Sequence, residues 1–233
     1  MNKSFGDNQV LKDISLDLFE NENLVILGRS GQGKSVLLKC IVRLMESDSG
    51  VIKLFDTDIH GLSDKELNRL RTRIGFLFQG GALFDSMTIQ QNLDFVLKRL
   101  KKELSEKERN YLIDRSLDSV ELKNVKNSMP SELSGGMKKR AGLARTLVLQ
   151  PEVILYDEPT TGLDPFSVSA ISELIVRLKE LYKTSSVIVT HDMKCVNIAG
   201  DRIAVLNNAV KLADGRYKEL QKSNDPVVSG FFD

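Results

Sequence analysis

Apolar and polar positions along this chain switch between a period of two and a period of 3.6, and the switches mark out its elements. Leu24-Val25-Ile26-Leu27 is a short apolar run of the kind that forms a fully buried strand. Val36, Leu37, Leu38, Cys40, Ile41 and Leu44 follow at helical spacing and predict one buried stripe. Before them, Phe5-Gly6-Asp7-Asn8 reads as a turn, with Val10, Ile14, Leu16 and Leu18 as apolar positions of strands around it. Asn21 stands where a tight turn with positive φ is expected. After the break at Ser47-Asp48-Ser49-Gly50, Val51, Lys53 and Phe55 alternate with Ile52 and Leu54 as a strand, and Ile74 to Phe78 predicts another that ends at Gln79.

Three helix starts are written as capping boxes, at Ser63 with Glu66, Thr88 with Gln91, and Ser105 with Glu108. The first opens a charged helix to Arg71. The other two open helices with apolar faces at Leu93, Val96, Leu97 and Leu100, then Leu112, Ile113, Leu117 and Val120. The charge run from Lys98 to Arg109 reads as a solvated face and turn between them. A further helix is predicted from near Ser134 to Gln150, stopping before Pro151 because proline pushes its predecessor out of the α region. Strands resume at Val153 to Tyr156 and Ser186 to Thr190. Between them Pro165 takes a first helical position, ahead of a stripe of Val168, Ile171, Ile175, Leu178 and Tyr182. A short helix from Asp192, a strand pair around Asn207-Asn208 and a mostly helical tail complete the chain. The alternation implies an α/β fold with a parallel sheet between helices, and a helical insert from Gly80 to Gln150.

One stretch of this pattern carries chemistry. Gly28-Arg29-Ser30-Gly31-Gln32-Gly33-Lys34-Ser35 satisfies G-x-x-x-x-G-K-[ST], with a predicted strand before it and a helix opening at Val36 behind it. Glycines let successive backbone N–H groups point at one anion, and the helix N-terminus adds its partial positive charge. Lys34 is expected to reach the β- and γ-phosphates of a nucleotide, and the Ser35 hydroxyl to bind Mg2+. Asp157 and Glu158 end a strand at the edge where a parallel sheet places its ligands. Asp157 is expected in the metal shell and Glu158 to polarise a water, on opposite faces of the strand.

With 33 Lys and Arg against 32 Asp and Glu, the net charge is +1, so no basic excess marks a nucleic-acid partner. Cys40 and Cys195 lie in apolar segments without metal spacing and are expected to be reduced core thiols, which favours the cytoplasm. No apolar run approaches the ~18 residues that cross a bilayer.

Leu133-Ser134-Gly135-Gly136-Met137 would on its own be a good helix cap. Together with the phosphate loop, Gln79, Asp157-Glu158, Gly162-Leu163-Asp164 and Thr190-His191-Asp192, it makes an ordered set over nearly the whole chain. That set resembles the nucleotide-binding subunits of ABC transporters. The resemblance implies a P-loop NTPase (RecA-like) fold, with a parallel-sheet core, an antiparallel β portion and an inserted α-helical subdomain. It implies one domain over 1–233, the core being about 1–79 and 151–233 and the helical subdomain about 80–150. It also implies a homodimer that holds ATP between the phosphate loop of one subunit and Ser134, Gly135 and Gly136 of the other. By the same resemblance Gln79 would take the metal- and water-sensing role, Asp164 would lie across the seam, His191 would bond the γ-phosphate, and Phe5 matches the aromatic position that stacks adenine. Only Met1 to Ser4 stand before Phe5, where the family places a strand, so either a truncated N-terminal edge or a misplaced start codon is expected. Arg29, Gln32 and Met137 depart from the commoner Pro, Ser and Gln without removing a group the mechanism needs.

Phe78 to Thr88, Pro130 to Met137 and Asp225 to Asp233 look like the ATPase of MCE (Mla-type) phospholipid transporters. This implies a permease docked between Gln79 and Gln91, where some of Phe84, Met87 and Ile89 are expected exposed, an MCE-domain partner, and a place on the cytoplasmic face of the inner membrane. The alternative within transport is the ATPase of a small-solute importer, such as one for an amino acid. Outside it, a soluble ABC ATPase acting on DNA or ribosomes lacks support from a basic patch, a coiled-coil insert or a second cassette. A catalytically dead regulatory subunit is disfavoured by Glu158 and His191.

Overall fold

The strands that carry the candidate site are runs of aliphatic and β-branched residues buried on both sides, as a parallel sheet covered by helices demands. The computed structural model describes residues 1–232; of the quoted tail, Asp233 lies outside the described residues. A hairpin of β1 (Lys3–Phe5) and β2 (Asn8–Leu11) precedes β3 (Asn23–Leu27) and α1 (Lys34–Ile41). A small hairpin, β4 (Lys53–Leu54) and β5 (Thr57–Asp58), leads to α2 (Asp64–Arg71) and β6 (Ile74–Leu77). Three helices follow, α3 (Ile89–Leu100), α4 (Glu106–Ser119) and α5 (Gly135–Leu147). The chain then runs through β7 (Val153–Asp157), α6 (Pro165–Tyr182), β8 (Ser185–Thr190), α7 (Met193–Ala199), β9 (Arg202–Asn207) and β10 (Val210–Gly215). Two short helices close it, α8 (Tyr217–Leu220) and α9 (Pro226–Ser229).

Six strands form the main sheet in the order β10-β9-β3-β8-β7-β6. β3 runs parallel to both β8 and β9, and β7 to both β6 and β8, while β10 pairs antiparallel with β9 at one edge. In this register Leu27 lies opposite Thr190 and Asp157 opposite Val189. The ends of β3, β7 and β8 therefore deliver the phosphate loop, Asp157-Glu158 and His191 to one edge, where open parallel sheets bind ligands.

Alternation along the strands divides the core between the two faces of the sheet. Leu24, Ile26, Leu155, Val187 and Val189 pack with Leu37 and Leu38 of α1 on one face. Val25, Leu27, Ile154, Tyr156 and Ile188 pack on the other, and Leu93, Leu97, Ile113 and Leu117 of α3 and α4 join that same cluster. The helices between β6 and β7 thus share an apolar core with the sheet.

Several elements differ from the sequence pattern. Leu44 is exposed, because α1 ends at Ile41 and Arg43 takes φ 50°, which swings the chain off the helical stripe. The strand expected over Val51 to Phe55 shrinks to β4, since Phe55 and Asp56 turn the chain with φ 50° and 63°. Ile14 is buried without belonging to a strand, and Leu16 and Leu18 lie outside strands as well. α5 stops at Leu147, short of Gln150, which sits at φ 55° before Pro151. Leu100, at the last turn of α3, is exposed. Ile89 is fully buried, because the first turn of α3 is pinned by backbone bonds from Ile89 N to Ser128 O and Gln90 N to Lys126 O.

Candidate nucleotide-binding site

The phosphate loop leaves β3 at Gly28, where a β-carbon would lie 2.6 Å from the Leu206 carbonyl oxygen, so only glycine fits. It returns at Gly33, which has φ 83° and caps α1 with no side chain. The first N–H groups of α1 are therefore left to an external acceptor, the arrangement that binds anions at helix N-termini. Arg29, Ser30 and Gly31 are exposed at the loop tip, and Val36 is half-buried behind it. Gln32 accepts from Asn208 N at 2.5 Å, which ties the loop to the β9–β10 turn. A cavity of about 400 Å³ beside Arg29 is lined also by Asn207, Asn208 and the α9 residues Pro226 and Val227.

Inside the loop, Lys34 is buried and donates to Gly28 O at 2.7 Å and Arg29 O at 3.1 Å. Its Nζ also lies 3.2 Å from Oε1 of Glu158. The other oxygen of Glu158 meets Nδ1 of His191 at 2.9 Å and accepts from Thr161 Oγ1 at 3.0 Å. The imidazole is 52% exposed, so its far side faces solvent. Glu158 has φ 50°, leaving the strand as it ends. The two neighbouring carboxylates meet different partners: Glu158 meets Lys34 and His191, and Asp157 the Ser35 hydroxyl.

Asp157 accepts from Ser35 Oγ at 2.6 Å. A hydroxyl and a carboxylate are hard oxygen donors suited to Mg2+, which is usually held by one or two protein oxygens with phosphate and water. Among the described residues, no cluster of three His, Cys, Asp or Glu side chains could chelate a metal by itself. The two thiols are unpaired, and burial raises both, Cys195 to about 12, so neither is poised as a ligand.

Gln79 sits elsewhere. Its side chain is exposed and makes no hydrogen bond among the described residues, while its carbonyl accepts from the ammonium of Lys139. Ser134 caps α5 by accepting from Met137 N at 3.3 Å. A β-carbon on Gly135 would touch Leu163 at 3.6 Å, and one on Gly136 would touch Ser167 at 3.8 Å, so this helix start adjoins the start of α6. There the Asp164 carboxylate accepts from Phe166 N, Ser167 N and Ser167 Oγ. The Ser167 hydroxyl and these backbone groups hold its pKa below the usual carboxylate range. Phe5 ends β1 with its ring 48% exposed and Lys3 Nζ 5.5 Å from its centroid.

Three residues that matter here are not marked by any motif. Thr161 braces Glu158, and Lys139 is buried with Nζ 3.3 Å from the Glu158 carbonyl. Asn92, buried in α3, donates to Phe84 O, Met87 O and Thr88 O and accepts from Phe84 N. The signal for Lys139 was present in the helical register, since it shares a face with Leu143 and Leu147, both buried.

A profile of the family described as ABC transporter matches residues 11–161. The Mycobacterium leprae protein described as probable ribonucleotide transport ATP-binding protein mkl is 39% identical over 231 residues, 99% of this chain and 66% of that one. The Haemophilus influenzae intermembrane phospholipid transport system ATP-binding protein MlaF is 36% identical, over 97% of this chain and 85% of its own. The Clostridium tetani methionine import ATP-binding protein MetN is 40% identical, over 94% and 68%. The chain thus spans about two thirds of the length of its mycobacterial relatives, 66% of the one from M. leprae. Among solved structures, the dimeric cassette MJ0796 has a TM-score of 0.83 at 31% identity, covering 92% of this chain and 95% of that chain. The same cassette in a post-hydrolysis state, bound to ADP and Pi, has a TM-score of 0.81 at the same identity, covering 92% and 94%. With a loop, strand-end acids and helix caps in the family's order, and with matches of this extent, the chain belongs to the ABC transporter family and carries its ATPase domain.

Proposed function

We propose that the chain is the ATP-binding and ATP-hydrolysing subunit of an ABC transporter, and that it powers phospholipid transport through a membrane permease and an MCE-domain protein. The observation that carries the ATPase reading is the carboxylate of Glu158, held between Lys34 and His191 at the mouth of the phosphate loop. When phosphates enter the loop, Lys34 exchanges its loop carbonyls and Glu158 for their oxygens. Glu158 is then free to accept a proton from water, with His191 on its other oxygen. Ser35 and Asp157 would hold Mg2+, which offsets charge on the phosphate oxygens.

Two copies complete two sites. Gly135 and Gly136 adjoin Leu163 and Ser167, which bonds to Asp164, within one subunit, so one surface would present Ser134, Gly135, Gly136 and Asp164 to the nucleotide of the other, with Phe5 on the adenine and Gln79 beside the metal. The solved relative that is dimeric supports this reading. The core of about 1–79 and 151–233 would then close with a helical subdomain of about 80–150 moving against it.

The permease would dock between Gln79 and Gln91, placing the subunit on the cytoplasmic face of the inner membrane. Phe84 is 39% exposed there, edge to face with Phe95 at 5.2 Å, and the Arg145 guanidinium carbon lies 5.1 Å from its ring centroid. Such an exposed aromatic pair with a cation beside it suits the apolar face of an amphipathic helix. Lipid as cargo is supported by the likeness to MlaF over most of that protein's length. The likeness to MetN favours a second reading, a small-solute importer.

Tagging the chain, solubilising native membranes gently and identifying what copurifies tests the proposal. An MCE-domain protein with its permease supports lipid transport. A small-solute permease with a binding protein selects the second reading, and ribosomes or DNA-repair proteins without a membrane partner overturn both. Phe84→Asp should weaken the copurification and leave ATP affinity unchanged.

A further inference from the structure

One face of α5 is fitted to the loop that follows β6, residue by residue. Lys139 donates to the Gln79 carbonyl, and Arg145 Nη1 donates to Ala82 O at 2.9 Å. Between them, a β-carbon on Gly142 would lie 2.9 Å from Gly81 O and 3.0 Å from Leu77 Cδ1, so helix and loop touch through bare backbone. Positions 139, 142 and 145 recur every three residues and therefore lie along one side of the helix. Segment 79–82 is thus held to α5 by two hydrogen bonds and one close backbone contact.

Lys139 does more than its two neighbours on this face. It is 7% exposed, and the same ammonium that holds Gln79 O lies 3.3 Å from the carbonyl oxygen of Glu158. Taking a lysine this far out of water is costly unless its donors are used, and here they go to main-chain oxygens of two functional segments. The Glu158 backbone has a conformation that non-glycine residues adopt at a cost, φ 50°, so a fixed partner on its carbonyl bears directly on where the carboxylate points. Lys139 also stands just over one turn beyond Ser134, at the N-terminus of the same helix.

We infer that Lys139 is a positioning residue that brackets the backbones of Gln79 and Glu158, tying one catalytic site to the helix whose first turn meets the nucleotide of the other. This rests on the reading that two subunits sandwich ATP. When Ser134, Gly135 and Gly136 close on the nucleotide of the partner, α5 moves, and Lys139 carries that movement to the sensor loop and the base of its own subunit. The coupling would run through one packed helix whose open and closed positions both sites bias, as energetic linkage between sites requires.

Hydrogen exchange of the full chain, with and without nucleotide, tests it. Two amides report on the bracket, that of Gly81, bonded to Phe78 O, and that of Thr161, bonded to Glu158 O. In the nucleotide-free protein Lys139→Met should speed exchange in both segments by about tenfold and leave β3 and β8 unchanged, and Lys139→Arg should restore protection. Lys139→Gln replaces the methionine variant if the latter does not fold. Faster exchange at neither segment, or at only one, overturns the inference.

A second arm uses the Glu158→Gln background with Mg2+ and ATP. Adding Lys139→Met should raise the ATP concentration for half-maximal dimer by about tenfold and abolish the protection that dimerisation adds at 157–162. Glu158→Gln alone remaining monomeric, in isolation and when copurified with its permease, overturns the sandwich reading. Dimerisation and added protection that are unchanged by Lys139→Met overturn the bracket alone.

Discussion

Nζ of Lys34 lies 3.2 Å from Oε1 of Glu158, so the cation of the glycine-rich loop and the carboxylate at the sheet edge neutralise one another, a pairing that the proposed phosphate would have to displace. Both side chains are nearly buried, at 5% and 11% exposure, so removing either leaves the other short of a partner in a poorly solvated place. Lys34→Ala is therefore expected to abolish useful ATP binding, a loss of roughly a hundredfold or more in calorimetry. Unchanged affinity would count against the phosphate loop as the binding site.

Replacing Glu158 by glutamine keeps its size and a carbonyl oxygen toward His191 but removes the proposed base and the charge that pairs with Lys34. ATP affinity should rise by a few-fold and turnover should stop, with nucleotide-bound dimer accumulating on size exclusion. A variant that turns over at the native rate would exclude Glu158 as the base.

Asn92 organises the proposed permease surface from beneath. Its amide makes bonds of 3.1, 3.0 and 3.0 Å to the carbonyls of Phe84, Met87 and Thr88, and its oxygen takes Phe84 N at 2.7 Å. Asn92→Ala should cost about 2 kcal/mol in urea unfolding, because these groups lose their partner where water reaches them poorly. It should also weaken membrane copurification while ATP affinity holds. A stability change near zero would show that the loop rearranges freely.

Acid should loosen the join between α5 and α6. Glu121 accepts from Arg140 of α5 at 2.6 Å and from Arg177 of α6 at 2.5 Å, and these guanidiniums, Arg140 foremost, hold its carboxyl below the usual glutamate range. A lowered folded pKa means that the unfolded chain binds the proton more readily. The contribution is complete above about pH 5 and fades as the pH falls through the lowered folded value. Glu121→Gln should lower the melting temperature modestly near neutrality, and its difference from the native chain should shrink toward pH 3. A difference that does not change with pH would mean the pair contributes through packing alone.

Local chemistry was legible and distant chemistry was not. Ser63, Thr88 and Ser105 each cap their helix with the reciprocal glutamate or glutamine bond, because a capping box involves residues only three apart. Asn21 has φ 55° as a tight turn before a strand requires. The phosphate loop, Asp157, Glu158 and His191 converge because parallel strands bring their ends to one edge, and this follows from the order of elements. What the pattern could not show depends on single backbone angles or on partners far along the chain. Arg43 and Phe55 adopt positive φ without being glycine, and each redirects a run whose periodicity promised more helix or strand. Lys139 finds a carbonyl 60 residues before it, so its register puts it on the buried face of α5 but no window along the sequence names its partner. Gln79 is placed by its backbone, which composition does not read at all.

The position of β3 in the sheet also dictates when a newly made chain can become competent. Its neighbours on both sides, β8 and β9, come from the far end of the sequence, and Asn23 bonds to Ser186 across a separation of 163 residues. A ribosome adding roughly 5 to 20 residues per second leaves this strand waiting on the order of ten seconds or more for either edge to be covered. Its five residues are all buried at the end, so during that interval they are an adhesive stretch with unpaired backbone. The nucleotide loop attached to β3 thus gains its support late and in a single closure, and nascent chains that stop before β8 should be aggregation-prone and unable to retain nucleotide.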